Sequence, residues 1–324
     1  MSEDRALKEL QEIEGVGPAT ARRLAEAGYA SVAAVASASA AELSERAGLG
    51  LEQALRIIRA AKVKLGMHRV MSAKEYKALR ASVPRLTTGV EALDKLLGGG
   101  LKAGDVYEVV GPPGVGKTQL CHQLCVTVQL ARNKGGVGEG ALYIDTEGTF
   151  SPERIEAIAS RFGLNPDQAL SNVEVVRVTG AEEQVATIKE DVPRVLSAGR
   201  AKLVVVDSLI LIFRGQLRGR ERLAERQQLL AMQVDVLRRV CSVFNAYCLV
   251  TNEVQAVPDA IFQDELMYHG RRSTGGYVVA HGTSHRLWFR RVRDACEATV
   301  VDSYELPAYQ PVRFKISAEG LVDA

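Results

Sequence analysis

The sequence predicts an α/β core with a mainly parallel sheet, preceded by a small all-α domain. Two observations carry this. Five short runs at 106–110, 141–145, 173–178, 203–207 and 246–251 alternate with helical stretches at about 117–132, 152–162, 182–198 and 223–244. The runs are almost continuously apolar and rich in Val, as in strands covered on both faces. Residues 1–66 hold no such run; they are Ala- and Leu-rich with helical spacing.

Composition bounds the function. A chain of 324 residues predicts two domains at about 100–200 residues each. With 47% hydrophobic and 25% charged residues it is too apolar for wholesale disorder. A formal charge of +2 excludes a polybasic nucleic-acid coat, so any basic site is local. Aromatics at 5% leave the core to aliphatic side chains. No window reaches about 18 consecutive apolar residues, so no membrane span is expected. The opening MSEDRALKEL lacks the apolar stretch of a signal peptide. The odd, scattered cysteines (Cys121, Cys125, Cys241, Cys248 and Cys296) suit a reducing compartment, and a cytoplasmic location is expected. Cys121 and Cys125 read as two small core residues on one helix face.

Along the chain, Leu7, Leu10, Ile13, Val16 and Leu24 mark one apolar set, and Leu43, Leu55, Ile58 and Leu65 another. Glycines 15, 17, 28, 48 and 50 punctuate them, so residues 1–66 should form four or five short helices. Their charges nearly cancel, with 9 acidic and 10 basic residues in 1–70. Residues 67–84, ending in Pro84, read as a linker with a short helix. Residues 85–324 form the core, closed by two or three strands near 286–291, 298–302 and 312–316.

Gly111-Pro112-Pro113-Gly114-Val115-Gly116-Lys117-Thr118 fits G-x-x-x-x-G-K-[ST], directly after a strand and opening a helix. Its glycines let backbone N–H groups curl around phosphate oxygens, and the helix start adds positive potential. Lys117 is placed to reach the β- and γ-phosphates and Thr118 to hold Mg²⁺. Asp207 ends the apolar run Leu203-Val204-Val205-Val206, where ligands of open α/β sheets bind, and is the second metal-ligand candidate. Glu147, after Leu142-Tyr143-Ile144-Asp145-Thr146, is the candidate catalytic carboxylate that positions water. Asp145 is the runner-up; Asp145 or Thr146 also suits helix capping.

Ile13-Glu14-Gly15-Val16-Gly17 resembles a helix–hairpin–helix turn, in which Gly15 and Gly17 bring backbone N–H groups to a DNA phosphate without base specificity. Arg22 and Arg23 follow on the next helix. The same turn also serves plain helix packing. Residues 213–222 carry Arg214, Arg218, Arg220 and Arg222 against one Glu, with Arg226 just beyond. Residues 255–274 form a long segment without a clear element, mixing Phe262, Met267 and Tyr268 with Arg271 and Arg272, a composition suited to single-stranded nucleic acid.

GPPGVGKTQLCHQL (111–124), LYIDTEGTFSPERI (142–155), LVVVDSL (203–209), LAERQQ (223–228), LVTNEV (249–254), GGYVVAH (275–281) and the helical front domain together resemble RecA-superfamily recombinases of the archaeal RadA type, close to the eukaryotic recombinases. The resemblance spans nearly the whole chain. It implies a RecA-like P-loop ATPase with ATP and Mg²⁺ as cofactors. It also implies a filament or ring of identical subunits on single-stranded DNA, pairing with double-stranded DNA, strand exchange in recombinational repair, and a nucleoid location. Recombination mediators are a further class of partner. It assigns Glu147 to catalysis, Lys117 and Gln119 to the nucleotide, and Arg154 to the adenine side. It further implies that Asp302 and Pro307 cap the ATP of a neighbouring subunit and that His281 senses its γ-phosphate. It assigns Arg214, Arg220 and Arg226 to the first DNA loop, with Arg218 and Arg222 beside them.

Three residues depart from the family pattern. Leu217 stands where Tyr is frequent, which removes a stacking contact. Glu253 stands where Gln is usual, and a carboxylate there must be protonated, turned away or paired. Val70 replaces Phe in the Phe-x-x-Ala segment that docks on the next subunit, with Ala73 retained. GPPGVGKT, Glu253 and Val70 lean toward an accessory ATP- and DNA-binding regulator of filament assembly as the alternative, while the helical front domain, Glu147 and the Arg-rich loop lean against it. A clock-like or helicase-like RecA core is a further alternative, disfavoured by the front domain and by DSYELP (302–307).

Overall fold

The computed structural model describes residues 3–217, 219, 221–256, 267–268 and 271–324. The front of the chain folds as five helices: α1 (Glu3–Gln11), α2 (Pro18–Glu26), α3 (Val32–Ser37), α4 (Ala40–Ala47) and α5 (Leu51–Lys64). Ser31 and Ser39 cap α3 and α4 by accepting from backbone N–H groups, and Gly48, at φ 59°, ends α4 in a left-handed residue. Leu10, Ile13, Val16, Leu24, Leu43 and Ile58 are buried in a core of their own. Leu55 and Leu65, expected inside, are 53% and 40% exposed. The face of α5 that goes inward is Ala54, Ile57, Ile58 and Ala61, whose two alanines permit close helix approach.

A linker helix, α6 (Ala73–Ala81), follows. Then come β1 (Arg85–Leu86), α7 (Glu91–Leu96), β2 (Leu101–Lys102), β3 (Val106–Val110), α8 (Lys117–Thr127), β4 (Ala141–Asp145), α9 (Pro152–Arg161), α10 (Pro166–Ser171), β5 (Val173–Arg177) and α11 (Ala181–Ala186). Next are α12 (Val192–Ser197), β6 (Leu203–Asp207), α13 (Leu211–Gln216), α14 (Leu223–Phe244), β7 (Tyr247–Asn252), β8 (Val254–Ala256), β9 (Met267–Tyr268) and β10 (Arg271–Ser273). The chain ends with α15 (Gly276–Gly282), β11 (His285–Val292), β12 (Ala295–Ser303), β13 (Pro311–Ser317) and β14 (Gly320–Asp323).

Among the described residues the main sheet has nine strands in the order β14-β13-β12-β11-β3-β7-β6-β4-β5. From β11 to β5 every neighbouring pair is parallel; β12, β13 and β14 add antiparallel strands. Side chains alternate between two cores. Tyr107, Tyr143, Val205 and Leu249 face α8 and α9, while Val106, Ile144, Val206 and Val250 face α12 and α14. Burial of both faces is why these strands read as unbroken apolar runs.

Several expectations need correction. The helix expected over 117–132 ends at Thr127, and the one over 182–198 contains a π-helical segment, Thr187–Asp191, between α11 and α12. β14 makes a fourth closing strand; its four residues begin with a glycine and show too little periodicity to be read alone. The segment 255–274 is not without elements, since β8, β10 and β9 form a small sheet at its two ends. All five cysteines are free and buried, Cys121 and Cys125 on α8 among them. No helix among the described residues is long and apolar enough to cross a membrane. The front helices dock on the core through Ser31 Oγ and Ser197 Oγ at 2.7 Å, and Arg239 donates to the Ser37 carbonyl.

Candidate functional site

The chain leaves β3 into the loop 111–116. A Cβ on Gly111 would lie 2.5 Å from the Phe289 carbonyl oxygen, so only glycine lets the loop pass β11. Gly114 and Gly116 hold φ of 77° and 98°, where side chains are strained. Lys117 opens α8, and its Nζ donates to the carbonyls of Gly111 (2.8 Å) and Pro112 (3.0 Å). Burial lowers its pKa, opposed by the charges of Asp207, Glu147 and Glu253. Arg291, which the sequence did not single out, donates to the Gly114 carbonyl at 2.9 Å.

Beside the loop, the carboxyl ends of β4, β6 and β7 are stitched together. Asp207 is 1% exposed; Tyr143 Oη donates to it at 2.7 Å, and Thr251 Oγ1 donates to its other oxygen. The Asp207–Ser208 peptide is cis. Thr146 Oγ1 donates to the Ser208 carbonyl (2.9 Å) and accepts from the Ser208 N–H (2.7 Å). The two acids after β4 are distinguished by their surroundings. Asp145 accepts from the backbone N–H groups of Glu147, Gly148 and Thr149 at 3.1, 2.7 and 3.2 Å, and Arg177 adds an ion pair at 3.3 Å. That carboxylate holds the loop. Glu147 is half-buried, with its pKa raised by burial and then by the charge of Asp207, against a Ser208 hydrogen bond that lowers it. Its stronger affinity for a proton suits a base.

His122 joins α8 to the loop after β4. Its Nε2 accepts from the Ser151 N–H at 2.9 Å, so Nδ1 carries the proton toward the Thr118 carbonyl at 2.8 Å. Burial lowers its pKa, which keeps this neutral tautomer. Arg154 Nε donates to Gln119 Oε1 (2.9 Å) and Arg154 Nη2 to the Ser317 carbonyl (2.9 Å), bringing these two candidates together at the β13–β14 turn.

Asp302, Pro307 and His281 do not join this group. β11 runs parallel to β3, with Trp288 opposite Val110, while β12 runs antiparallel with Asp302 opposite Arg286. From Asp302 onward the chain heads for the amino ends of the parallel strands, away from residues 111–118. His281 precedes β11 at that same end and stacks on Tyr277 with ring centroids 5.4 Å apart. Asp302, Pro307 and His281 are all exposed.

At the loop end, a buried network ties β3 to the exit of the second loop. Glu108, in the middle of β3, pairs with Arg286 on β11 at 2.7 Å, both buried. Arg286 Nη2 donates to Ser273 Oγ (2.8 Å), and Asn252 Nδ2 donates to Glu108 Oε1 (2.6 Å) and to the Thr274 carbonyl (2.7 Å). Next to Asn252, Glu253 pairs with Arg214 at 2.5 Å. The departure at Glu253 is thus met by a cation from the Arg-rich segment. A cleft of about 620 Å³ opens between the two loops, lined by Arg214, Arg226, Gln227, Gln255 and Tyr277 among others.

The Arg-rich segment is only partly a loop: 211–216 are helical. Leu217 is 6% exposed and packs in the core, so the frequent Tyr position here faces inward. Arg222 pairs with Glu225 at 2.9 Å, and Arg226 donates to the Leu217 carbonyl at 3.2 Å. Arg218, Arg220 and Phe262 lie outside the described residues, as do the side chains of Met267, Tyr268 and Arg272; Arg271 is exposed on β10. In the front domain, Gly15 (φ 83°) turns the chain between α1 and α2 and Gly17 caps α2. The space beside both glycines is open. Arg22 is exposed, whereas Arg23 donates to the Ala47 carbonyl at 2.9 Å and braces the end of α4. Val70 is fully exposed and Ala73 is also exposed.

Fold and site together define a RecA-like P-loop core behind a helix–hairpin–helix domain. A family model described as Rad51 matches residues 79–324, and one described as a SAM-like helix-hairpin-helix tandem matches residues 7–63. The chain belongs to the Rad51 family. It is 38% identical over 325 residues to the DNA repair and recombination protein RadA of Aeropyrum pernix, covering 100% of this chain and 99% of that protein. It is 39% identical to the protein of the same name from Metallosphaera sedula, covering 100% and 98%.

Removing one partner of a buried ion pair strands the other, at a cost of about 3–5 kcal/mol. Arg286→Ala should therefore lose that much stability in denaturant unfolding, leaving Glu108 unpaired. A loss below about 1 kcal/mol, the scale of an exposed pair, would show that the pair does not anchor the sheet.

Proposed function

We propose that this protein is an ATP-dependent recombinase that assembles on single-stranded DNA, pairs it with a homologous duplex and exchanges strands in DNA repair. One observation carries the reading furthest. The strand that leads into the phosphate loop and the exit of the second loop share one buried network, Glu108–Arg286–Ser273 with Asn252 and Thr274. Nucleotide contact at one end of that network has a direct mechanical route to a nucleic-acid contact at the other. The names of the Aeropyrum and Metallosphaera relatives support the same activity.

The residues fit a nucleotide and a divalent metal. The glycine cradle has no room for side chains at Gly111, and the first turn of α8 leaves N–H donors without helical partners. Thr118 and Asp207 offer hard oxygen ligands suited to Mg²⁺. When bound, the metal offsets charge on the transferring phosphate. Lys117 binds the phosphates and Glu147 positions water and takes its proton. Arg154 and Gln119 flank the base. Asp302, Pro307 and His281, exposed and apart from residues 111–118, act on the nucleotide of a second subunit. Arg214, Arg222, Arg226 and Arg271, with Arg218, Arg220 and Arg272, bind single-stranded DNA. The Gly15–Gly17 turn holds duplex phosphates, and Val70 and Ala73 dock on the neighbour.

The deciding experiment is strand exchange between single-stranded DNA and a homologous duplex with ATP and Mg²⁺. The unaltered protein should exchange strands, Glu147→Gln should bind ATP and DNA without turnover, and Lys117→Ala should stay folded but lose ATP-dependent DNA binding. Exchange by Lys117→Ala at the normal rate would sink the assignment; tight binding without exchange by the unaltered protein would favour an accessory regulator.

Glu253→Gln removes a negative charge near Lys117 and frees Arg214. ATP should then bind roughly threefold to tenfold tighter, about 1 kcal/mol for a partly exposed charge. The salt dependence of single-strand binding should steepen by about 0.7, one additional phosphate contact. Titrations showing neither change would mean that the pair is isolated from both ligands.

A further inference from the structure

The linker helix α6 has no buried residue. A nine-residue helix is marginal in water without packing, yet its Ser72–Glu75 capping box is complete. Among the described residues, Arg80 is the α6 side chain hydrogen-bonded to the core. Its Nη2 donates to Asp105 Oδ2 at 3.3 Å and to Tyr304 Oη at 3.1 Å. Tyr304 Oη in turn donates to the same Asp105 oxygen at 2.7 Å. Asp105 is 8% exposed, so this carboxylate is a fixed point rather than a mobile surface acid.

Tyr304 lies inside the segment 302–307, and the rest of that segment is held equally firmly. Ser303 Oγ accepts from the N–H groups of Glu305 (3.1 Å) and Leu306 (2.8 Å) and meets His285 Nδ1 at 2.8 Å. Glu305 pairs with Lys102 at 2.5 Å and Arg85 at 3.5 Å. Asp105, His285 and Glu305 lie close enough together to resemble a metal-ligand set, but Lys102, Arg85 and Arg80 already meet these acids. The cluster therefore reads as a clamp between the linker and the cap segment. It gathers at the amino end of β3, opposite the phosphate loop. Segment 70–73 leads directly into α6, with Val70, Tyr76 and Leu79 exposed.

Resting on the recombinase reading, we propose that Arg80 and Tyr304 are positioning residues that join α6 to the cap segment. Docking of 70–73 on a second copy of this chain and seating of Asp302 and Pro307 on that copy's nucleotide then occur as one rigid movement. Among the described residues, neither side chain hydrogen-bonds to residues 111–118.

The test uses the full chain with Arg80→Ala, Tyr304→Phe, the double variant and Arg80→Lys. DNA-stimulated hydrolysis should show KM for ATP raised roughly five- to tenfold in each single variant, a hydrogen bond's worth, with kcat near normal at saturation. The double variant should lose less than the product of the two single losses, since Arg80 and Tyr304 meet each other and share one Asp105 oxygen. Arg80→Lys should recover part of the loss. Hydrogen exchange at 302–307 should rise in Arg80→Ala at unchanged melting temperature. Multiplying effects in the double variant, a fall in kcat alone, or unchanged exchange at 302–307 would each overturn the coupling. The exchange readout needs no turnover, so an unaltered protein without DNA-stimulated hydrolysis counts against the recombinase reading and not against this one.

Discussion

Glu108 is a carboxylate in the middle of a strand whose other residues are Val and Tyr, at the centre of a sheet buried on both faces. A charge there must be met by an opposite charge and by further hydrogen bonds, or the sheet cannot close over it. Arg286 and Asn252 meet it from the strands on either side. Because Arg286 also holds Ser273 and Asn252 also holds Thr274, the solution to a core problem fixes the exit of a surface loop. Position, not extra affinity, is what such a pair supplies. β3 continues straight into residues 111–116, so the same constraint sets one edge of the phosphate cradle.

The parallel sheet divides the chemistry between its two ends. The carboxyl ends carry Asp207, at the end of β6, with Lys117 and Glu147 just beyond β3 and β4, strands that β-ladder bonding keeps in register. The amino ends carry the segment after Asp302 and the linker helix. Strands of about five residues lie between the two ends. Copies joined through such unlike ends would meet head to tail, the heterologous arrangement that yields rings or open helices.

Much of this was legible in the residues. Alternating Val-rich runs gave the parallel strands because double burial removes the polar alternation that would otherwise confuse them. The 111–118 motif carried its own context, strand before and helix after. The residues favour Glu147 over Asp145, and the convergence of backbone N–H groups on Asp145, a difference in their surroundings, left no sequence signal. Leu55 and Leu65 misled because α5 packs through alanines, whose small apolar area gives a weak signal. The pairing of Arg214 with Glu253 spans 39 positions and has no local trace. Glu108 did leave a trace, as an acid inside an apolar strand, a trace it shares with Glu174 in β5, and Asp105–Tyr304–Arg80 left none, since its members lie far apart in the sequence.

The separation of cradle and cap has a stoichiometric consequence. Where every complete site needs a cradle from one copy and a cap from the next, an open chain of n copies holds n − 1 complete sites, and a closed ring holds n. A pair of copies is half-equipped, and a lone copy has none. The two tips of an open chain are also unlike, one offering a bare cradle and the other an unused cap. Turnover per subunit should then depend on assembly length, rising toward a plateau as chains grow and reaching it at once in a ring.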